Sequence, residues 1–224
     1  MQKAIHIGIR IFENLSLFIF GRHCAGCGRE GEDICRVCLS HLPVSLRTYD
    51  IKDTIACFDY QLPIVKRAVR NLKYSGKHAL ARVLGKLLYE RMLEEYGDLK
   101  LYKNFIDPLI VPIPISAKRR RERGYNQSAL LARAIVACDT EKLFSYANIL
   151  EKVRETPHQA DIANRKKRLK NVNNSFALKA SADIRGRNII VIDDVSTTGA
   201  TIAEARRVLL AHGARMVIGF TLAH

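Results

Sequence analysis

The groups best suited to chemistry lie in a stretch of thirteen residues from Ile189 to Thr201, which reads IIVIDDVSTTGAT. Four aliphatic residues precede two carboxylates, and a hydroxyl-rich turn follows them. The short β-branched run predicts a buried strand of a parallel sheet. Asp193 and Asp194 then stand at the carboxyl end of that strand, where ligands bind in open α/β sheets.

The residues after the acids predict a tight turn at 196–199 and then a helix, ATIAEARRVLLAHG, with Ile202, Ala205, Val208 and Leu209 on one apolar face. A helix N-terminus offers unpaired N–H groups and the positive end of the helix dipole, so such a turn suits a phosphate. Asp193 and Asp194 suit sugar hydroxyls, bound directly or through Mg²⁺. The pattern therefore indicates a sugar phosphate as ligand. The alternative is that the acids and threonines only cap a helix.

This segment resembles the phosphoribosyl pyrophosphate (PRPP) loop of the type I phosphoribosyltransferases, a hydrophobic strand followed by two acids, Thr-Thr-Gly and a further Thr. The resemblance implies that Asp193 and Asp194, the candidate catalytic residues, bind the ribose 2′ and 3′ hydroxyls. Diphosphate would leave from C1′, with catalysis resting on positioning and on Mg²⁺. The 5′-phosphate would be held by Val195, Ser196, Thr197, Thr198, Gly199 and Thr201.

Four of the six cysteines form two CxxC pairs separated by seven residues: Cys24, Cys27, Cys35 and Cys38. Two such pairs can complete a tetrahedral site of four thiolates, and a metal would supply the folding energy that so small a segment lacks. Zinc is the expected occupant, with iron as the alternative. Disulfides and a redox CxxC are the other interpretations, but we find no export signal and expect a cytoplasmic protein.

Two runs concentrate positive charge. Five of the six residues 118–123 are basic, directly after the aliphatic strand LIVPIPI at 109–115, where prolines predict a rigid loop. Five of the six residues 165–170 are basic as well. Each run alone is typical of a solvated surface. Together, in a chain with a formal net charge of +15, they indicate a polyanionic partner, and the second run also suits a mobile flap over the ligand.

The first twenty residues are apolar-rich, but Arg10, Glu13 and Asn14 interrupt them. The spacing of the apolar residues predicts an amphipathic helix over 1–20, not a signal peptide or a membrane span.

Further motifs resemble the ComF family over nearly the whole chain. Besides the CxxC pairs they are LKYSG at 72–76, RERGYNQ at 121–127, RETPHQ at 154–159 and NVNNSF at 171–176. The resemblance implies a zinc ribbon, placed at 21–48, and a type I phosphoribosyltransferase-like domain with a parallel sheet flanked by helices, placed at 49–224. It also implies a role in DNA uptake during natural transformation.

By the same resemblance, Lys118 and Arg119 belong to a loop facing the diphosphate, and Lys73 faces the ligand. The motif RERGYNQ has no assigned role, and we find no segment that would recognise a purine or pyrimidine base.

Three functions remain open. The first is binding of PRPP and single-stranded DNA in DNA uptake; the second is transfer of ribose 5-phosphate to an unknown acceptor. The third is an adaptor whose zinc ribbon docks a helicase-like ATPase. The predicted DNA-binding residues are Arg119, Arg120, Arg121, Arg123, Arg165, Lys166, Lys167 and Arg168, with Tyr125 as a base-stacking platform.

Overall fold

A computed structural model of the 224-residue chain describes residues 23–43, 53–74, 78–154 and 172–224. The predicted helix over 1–20 and the basic run at 165–170 lie outside these ranges. The chain divides into two compact units, Met1–Leu42 and Pro43–His224.

The smaller unit is built around its cysteines. A bridge between His23 and Glu30 closes the first CxxC turn, and Gly28 takes the left-handed conformation that the turn needs (φ +78°). The short helix α1 (Arg36–Ser40) begins directly after Cys35. A local turn thus holds the first CxxC pair, and the start of α1 holds the second.

The larger unit contains a parallel sheet of five strands. They are β1 (Thr54–Phe58), β2 (Leu109–Pro112), β3 (Ser145–Tyr146), β6 (Asn188–Val195) and β7 (Met216–Ala223), in the spatial order β1-β7-β6-β2-β3. The central strands β6 and β7 are buried along nearly their whole length, which explains their continuous aliphatic sequences. The strand predicted before the two acids is confirmed as β6, and the strand predicted over 109–115 is confirmed only in its first part, because β2 ends at Pro112.

Within the described ranges, five helices accompany the sheet: α2 (Pro63–Tyr74), α3 (His78–Lys103), α4 (Ala117–Arg123), α5 (Gln127–Cys138) and α6 (Ala200–Ala211). The predicted apolar face of α6 is confirmed, because Ile202, Ala205, Val208 and Leu209 are all buried. Helices α3 and α5 approach closely at Gly85, where an added methyl group would collide with Cβ of Ala134. No helix among the described residues is both long and apolar enough to cross a membrane.

Two short antiparallel strands, β4 (Leu150–Lys152) and β5 (Phe176–Leu178), flank the undescribed segment 155–171. The basic run at 118–123 differs from the expected loop, since it forms helix α4. Ser116 caps its first turn by accepting a hydrogen bond from the Arg119 amide, and Gly124 ends it in the left-handed conformation. The loop predicted after β2 therefore spans only the residues 113–116.

Candidate functional site

Strand β6 ends in the two carboxylates, and both are buried, with 7% of Asp193 and 4% of Asp194 exposed. Oδ1 of Asp193 accepts hydrogen bonds from the Ser128 hydroxyl at 3.0 Å and from the Asp194 amide at 2.9 Å. Oδ1 of Asp194 accepts one from the Val195 amide at 2.8 Å. The acids are thus fixed in orientation before any ligand arrives.

Burial raises the pKa of Asp193 to about 7, and the neighbouring charge of Asp194 acts in the same direction. The Asp194 amide, the Ser128 hydroxyl and the charge of Lys73 oppose this increase. Asp193 therefore changes its charge near neutral pH, whereas an ordinary aspartate does so near pH 4. A bound divalent cation would favour the ionised form.

Lys73, in the last turn of α2, lies against the acidic pair. Its Nζ is 2.9 Å from Oδ2 of Asp194, and its side chain is 23% exposed. Burial by itself would lower the pKa of Lys73, but attraction to Asp194 and Asp193 outweighs burial and raises it. The structure thus brings together a cation and an acid that lie far apart in the sequence.

The turn between β6 and α6 is the turn predicted to bind a phosphate. Only part of it has the conformation expected for that role. Gly199 adopts the left-handed conformation (φ +75°) directly before α6. The amides of Val195 and Ser196, however, already donate internally, to Asp194 and to the carbonyl of Ala223 respectively. These two amides of the predicted phosphate-binding turn therefore donate hydrogen bonds to acceptors of the protein itself.

A cavity of about 300 Å³ opens at the carboxyl ends of β2 and β6. We call it the phosphoribosyl pocket, after the ligand that the sequence analysis predicts for these residues. Its wall carries both carboxylates and several cations. Of the residues predicted to bind PRPP it includes Lys73, Arg119, Asp193, Asp194, Val195, Thr197 and Thr201. Lys118, Ser196, Thr198 and Gly199 are not part of this wall, although the first three directly adjoin residues that are.

The motif RERGYNQ connects α4 and α5 to this pocket. Nη1 of Arg123 donates to Oε1 of Gln127 at 3.1 Å, and both side chains line the pocket. The Asn126 side chain caps α5 and donates to the carbonyl of Ile113 at 2.9 Å, which fastens the helix to the loop after β2. The motif thus positions the pocket wall, a role that the sequence did not assign to it.

Some pocket residues carried no signal in the sequence. Ser128 is fully buried and reaches Asp193, and the pocket wall includes Lys152 of β4 together with Tyr60, Val172 and Phe176. Val172 and Phe176 belong to the motif NVNNSF, to which the sequence analysis assigned no role, and Tyr60 and Lys152 belong to no motif singled out there. For Ser128 the sequence offered one indication. Asn126 and Ser128 stand at the start of a predicted helix, where side chains of these types commonly cap the backbone.

The structure describes only some of the residues predicted to bind DNA. Arg120 and Arg121 are exposed on α4, whereas Arg119 and Arg123 turn toward the phosphoribosyl pocket. Tyr125 is half-buried, and its hydroxyl donates to the carbonyl of Leu72 at 2.7 Å. Its role as a stacking platform stays a prediction. Arg165, Lys166, Lys167 and Arg168 lie outside the described residues.

The four clustered cysteines form a candidate metal centre. Their sulfur atoms all lie within 4.8 Å of one another, and Sγ of Cys27 is 3.7 Å from Sγ of Cys35. In a tetrahedral site with Zn–S bonds of about 2.3 Å, sulfur atoms are about 3.8 Å apart. The donor set and its spacing therefore fit zinc.

Local donors also favour the thiolate that a metal needs at Cys24. Burial acts to raise the pKa of Cys24, but amide donors, foremost that of Cys35 at 3.2 Å, lower it to about 6. The amide of Gly26 donates to the same sulfur at 3.3 Å. In the metal-free cluster, the hydrogen bond with Cys35 raises the pKa of Cys38 to about 12.

The sequence profile of the phosphoribosyl transferase domain matches residues 117–224. The DNA utilization protein YhgH of Escherichia coli K12 is 28% identical over 202 residues, covering 87% of this chain and 85% of that protein. Competence protein F of Haemophilus influenzae is 29% identical, covering 84% and 78% respectively. Competence protein ComFC of Bacillus subtilis is 28% identical, covering 91% and 78%.

Together, these relatives and the phosphoribosyl transferase domain support a ComF-family protein. Its larger unit has the parallel sheet flanked by helices of a type I phosphoribosyltransferase-like fold, as the sequence predicted. The cysteine cluster of the smaller unit is compatible with a zinc ribbon. Among solved structures, a hypoxanthine phosphoribosyltransferase of Trypanosoma cruzi aligns with 64% of each chain, at 14% identity and a TM-score of 0.38. So weak a likeness carries no part of the assignment.

Proposed function

We propose that this ComF-family protein binds PRPP with Mg²⁺ in the phosphoribosyl pocket and binds single-stranded DNA through its basic surface. The observation that carries the first half is the convergence of two carboxylates with Lys73, Arg119 and Arg123 in one cavity. Carboxylates suit ribose hydroxyls and Mg²⁺, and the cations suit the phosphates.

We propose that the protein performs this role during DNA uptake and does so in the cytoplasm. The relatives support it, because two of them are named as competence proteins and a third as a DNA utilization protein. The described surface supports it as well, since α4 exposes Arg120 and Arg121 beside the pocket. Phosphate contacts of this kind give sequence-independent binding.

Calorimetry tests the PRPP half, with the zinc-loaded chain titrated with PRPP in the presence and absence of Mg²⁺. We expect binding that depends on Mg²⁺ and is weakened by Asp193→Asn and by Asp194→Asn. Asp98→Asn, an exposed acid on α3, is the matched control and should bind like the wild type. Equal binding by all four proteins would overturn this half of the proposal.

The DNA half is tested by the salt dependence of oligonucleotide binding. For single strands the logarithm of the binding constant should fall against the logarithm of the salt concentration with a slope of about −0.7 per phosphate neutralised. Loss of Arg120 and Arg121 together should make that slope shallower. Affinity that is indifferent to salt would contradict backbone recognition.

A second candidate is catalysis in the same pocket, the transfer of ribose 5-phosphate from PRPP to an acceptor. It is favoured by the fixed orientation of Asp193 and Asp194 at the end of β6. The bond from C1′ to the diphosphate oxygen would break, the diphosphate would leave with that electron pair, and the acceptor would form the new bond. Release of diphosphate from PRPP and Mg²⁺, with DNA or water as acceptor, is the test.

The adaptor function ranks third and rests on the cysteine cluster. A helicase-like ATPase that co-purifies with the Asp193→Ala protein but not with Cys24→Ser protein would support it. Loss of the partner from both variants would argue against docking by the cluster.

A further inference from the structure

Helix α4 contributes to the walls of two cavities. Arg119 and Arg123, four residues apart, line the phosphoribosyl pocket, whereas Arg120 and Gly124, also four apart, line a second cavity of about 440 Å³. Residues four apart lie on the same face of a helix. The basic helix therefore turns one face to each cavity.

The two cavities are neighbours. Pro114, Ile115 and Lys152 belong to both walls, so the loop after β2 and strand β4 form a shared rim. The second cavity lies between α4, the first half of α5 and the β4/β5 pair. Its volume falls in the range of cavities that hold small ligands, of roughly 300 to 1,000 Å³, and exceeds that of the phosphoribosyl pocket.

The wall of the second cavity is strongly basic. Its charged residues are four cations and one carboxylate, namely Arg120, Arg133, Lys152, Lys179 and Glu151. Three of the four cations come from elements other than α4, so this charge is not a continuation of the basic run seen in the sequence. Cations converging from α4, α5, β4 and the residue after β5 suit a ligand with more than one phosphate.

An aromatic ring lies in the same wall. The guanidinium carbon of Arg133 is 5.4 Å from the ring centre of Tyr146, and both residues line the cavity. The Tyr146 hydroxyl oxygen is buried and has no hydrogen-bond partner among the described residues. Cations next to an aromatic ring match the two parts of an unpaired nucleotide, its phosphate and its base.

We infer that this second cavity binds a phosphodiester segment of single-stranded nucleic acid that runs past the rim of the phosphoribosyl pocket. The inference rests on the DNA half of the proposed function and adds to it a location and four residues outside the basic runs: Arg133, Tyr146, Lys152 and Lys179. A base-paired duplex cannot offer its bases to Tyr146, so the cavity discriminates in favour of single strands.

The test is binding of a labelled oligothymidylate to the zinc-loaded full chain, followed by fluorescence anisotropy between about 50 and 200 mM salt. Arg133→Gln combined with Lys179→Gln should weaken binding and make the salt slope shallower by about 1.4, or 0.7 for each phosphate that is no longer neutralised. Lys100→Gln combined with Lys103→Gln removes the same charge from exposed positions on α3 and should keep the wild-type slope.

Tyr146 gives an independent measurement. Tyr146→Leu should lower the affinity about fivefold or more, whereas Tyr146→Phe, which keeps the ring, should bind like the wild type. PRPP calorimetry on every variant checks the fold and the neighbouring pocket, and we expect no change there.

Wild-type affinity and slope in the Arg133 and Lys179 double variant would overturn the inference and leave the proposed function intact. An equal loss in the Lys100 and Lys103 control would overturn it too, because net charge alone would then explain the effect. If the wild type bound no oligonucleotide, the inference and the DNA half would both fail, while PRPP binding would be judged separately by calorimetry.

Discussion

The hydroxyl of Ser128 donates a hydrogen bond of 3.0 Å to Oδ1 of Asp193. It joins the first turn of α5 to the carboxyl end of β6. Ser128 is fully buried, so water cannot replace the donor if the hydroxyl is removed. The orientation and charge of Asp193 therefore depend on a residue that need not touch the ligand.

Ser128→Ala is accordingly expected to weaken PRPP binding in the presence of Mg²⁺ severalfold, because Asp193 loses the donor that orients its carboxylate. Without this donor the pKa of Asp193 also rises further, so less of the carboxylate is ionised at neutral pH. Calorimetry measures the change. Ser145→Ala, at an exposed position of β3, is the control, and equal affinities for the two variants would contradict the positioning role.

The raised pKa of Asp193 predicts how stability depends on pH. Its folded value is about 7 against an ordinary value of 3.8, so between these values the folded protein binds a proton that the unfolded chain lacks. The contribution to the free energy of unfolding is therefore greatest at low pH and falls as pH rises, by about 1.4 kcal/mol per pH unit, until about pH 7.

Urea denaturation of the ligand-free protein between about pH 5 and 8 measures this dependence. Asp193→Asn cannot ionise, so the stability of the wild type minus that of the variant should fall up to about pH 7 and stay level above it. A constant difference for Asp193→Asn would show that burial does not raise the pKa of the Asp193 carboxyl group.

The sequence was sufficient for the local parts of the site. The run of aliphatic residues before Asp193 predicted β6, and the spacing of apolar residues predicted the buried face of α6, because both signals repeat within a few residues. The contact between Ser128 and Asp193 spans 65 positions, and nothing in either local pattern records it. Contacts between residues so far apart in the sequence can be identified only when the packing of the helices on the sheet is known.

The secondary structure of helix α4 was predicted wrongly, and for a different reason. The helix signals were present, with Ser116 before the basic run and Gly124 after it, but the prolines that precede the run favoured a rigid loop. Caps at both ends stabilise this short helix. The helix directs Arg119 and Arg123 toward one cavity and Arg120 toward the other.

Metal content tests the cysteine cluster. We expect about one zinc ion per purified chain by mass spectrometry, and none after Cys35→Ser, because a tetrahedral site loses one of its four ligands. Cys138→Ser, which changes a cysteine outside the cluster, should keep the metal. Retention of metal by Cys35→Ser would require a different ligand set, and iron in place of zinc would show a characteristic absorbance.

The ion pair between Lys73 and Asp194 predicts an energetic coupling. Nζ of Lys73 lies 2.9 Å from Oδ2 of Asp194, whose side chain is only 5% exposed. Removal of one partner leaves a largely buried charge without compensation, which in fully buried pairs costs about 3 to 5 kcal/mol. The partial exposure of Lys73 reduces this, so we expect a coupling of about 1 to 2 kcal/mol.

A double-mutant cycle of Lys73→Met and Asp194→Asn in urea denaturation measures the coupling directly. The matched control is the exposed pair of Lys86 and Glu90, 3.8 Å apart on α3, for which we expect about 0.5 kcal/mol or less. If the two cycles gave equal couplings, Lys73 would not be held by Asp194. A clear excess at Lys73 would mean that a ligand must compete with Lys73 for Asp194, and Lys73→Met should then alter Mg²⁺-dependent PRPP binding as well as stability.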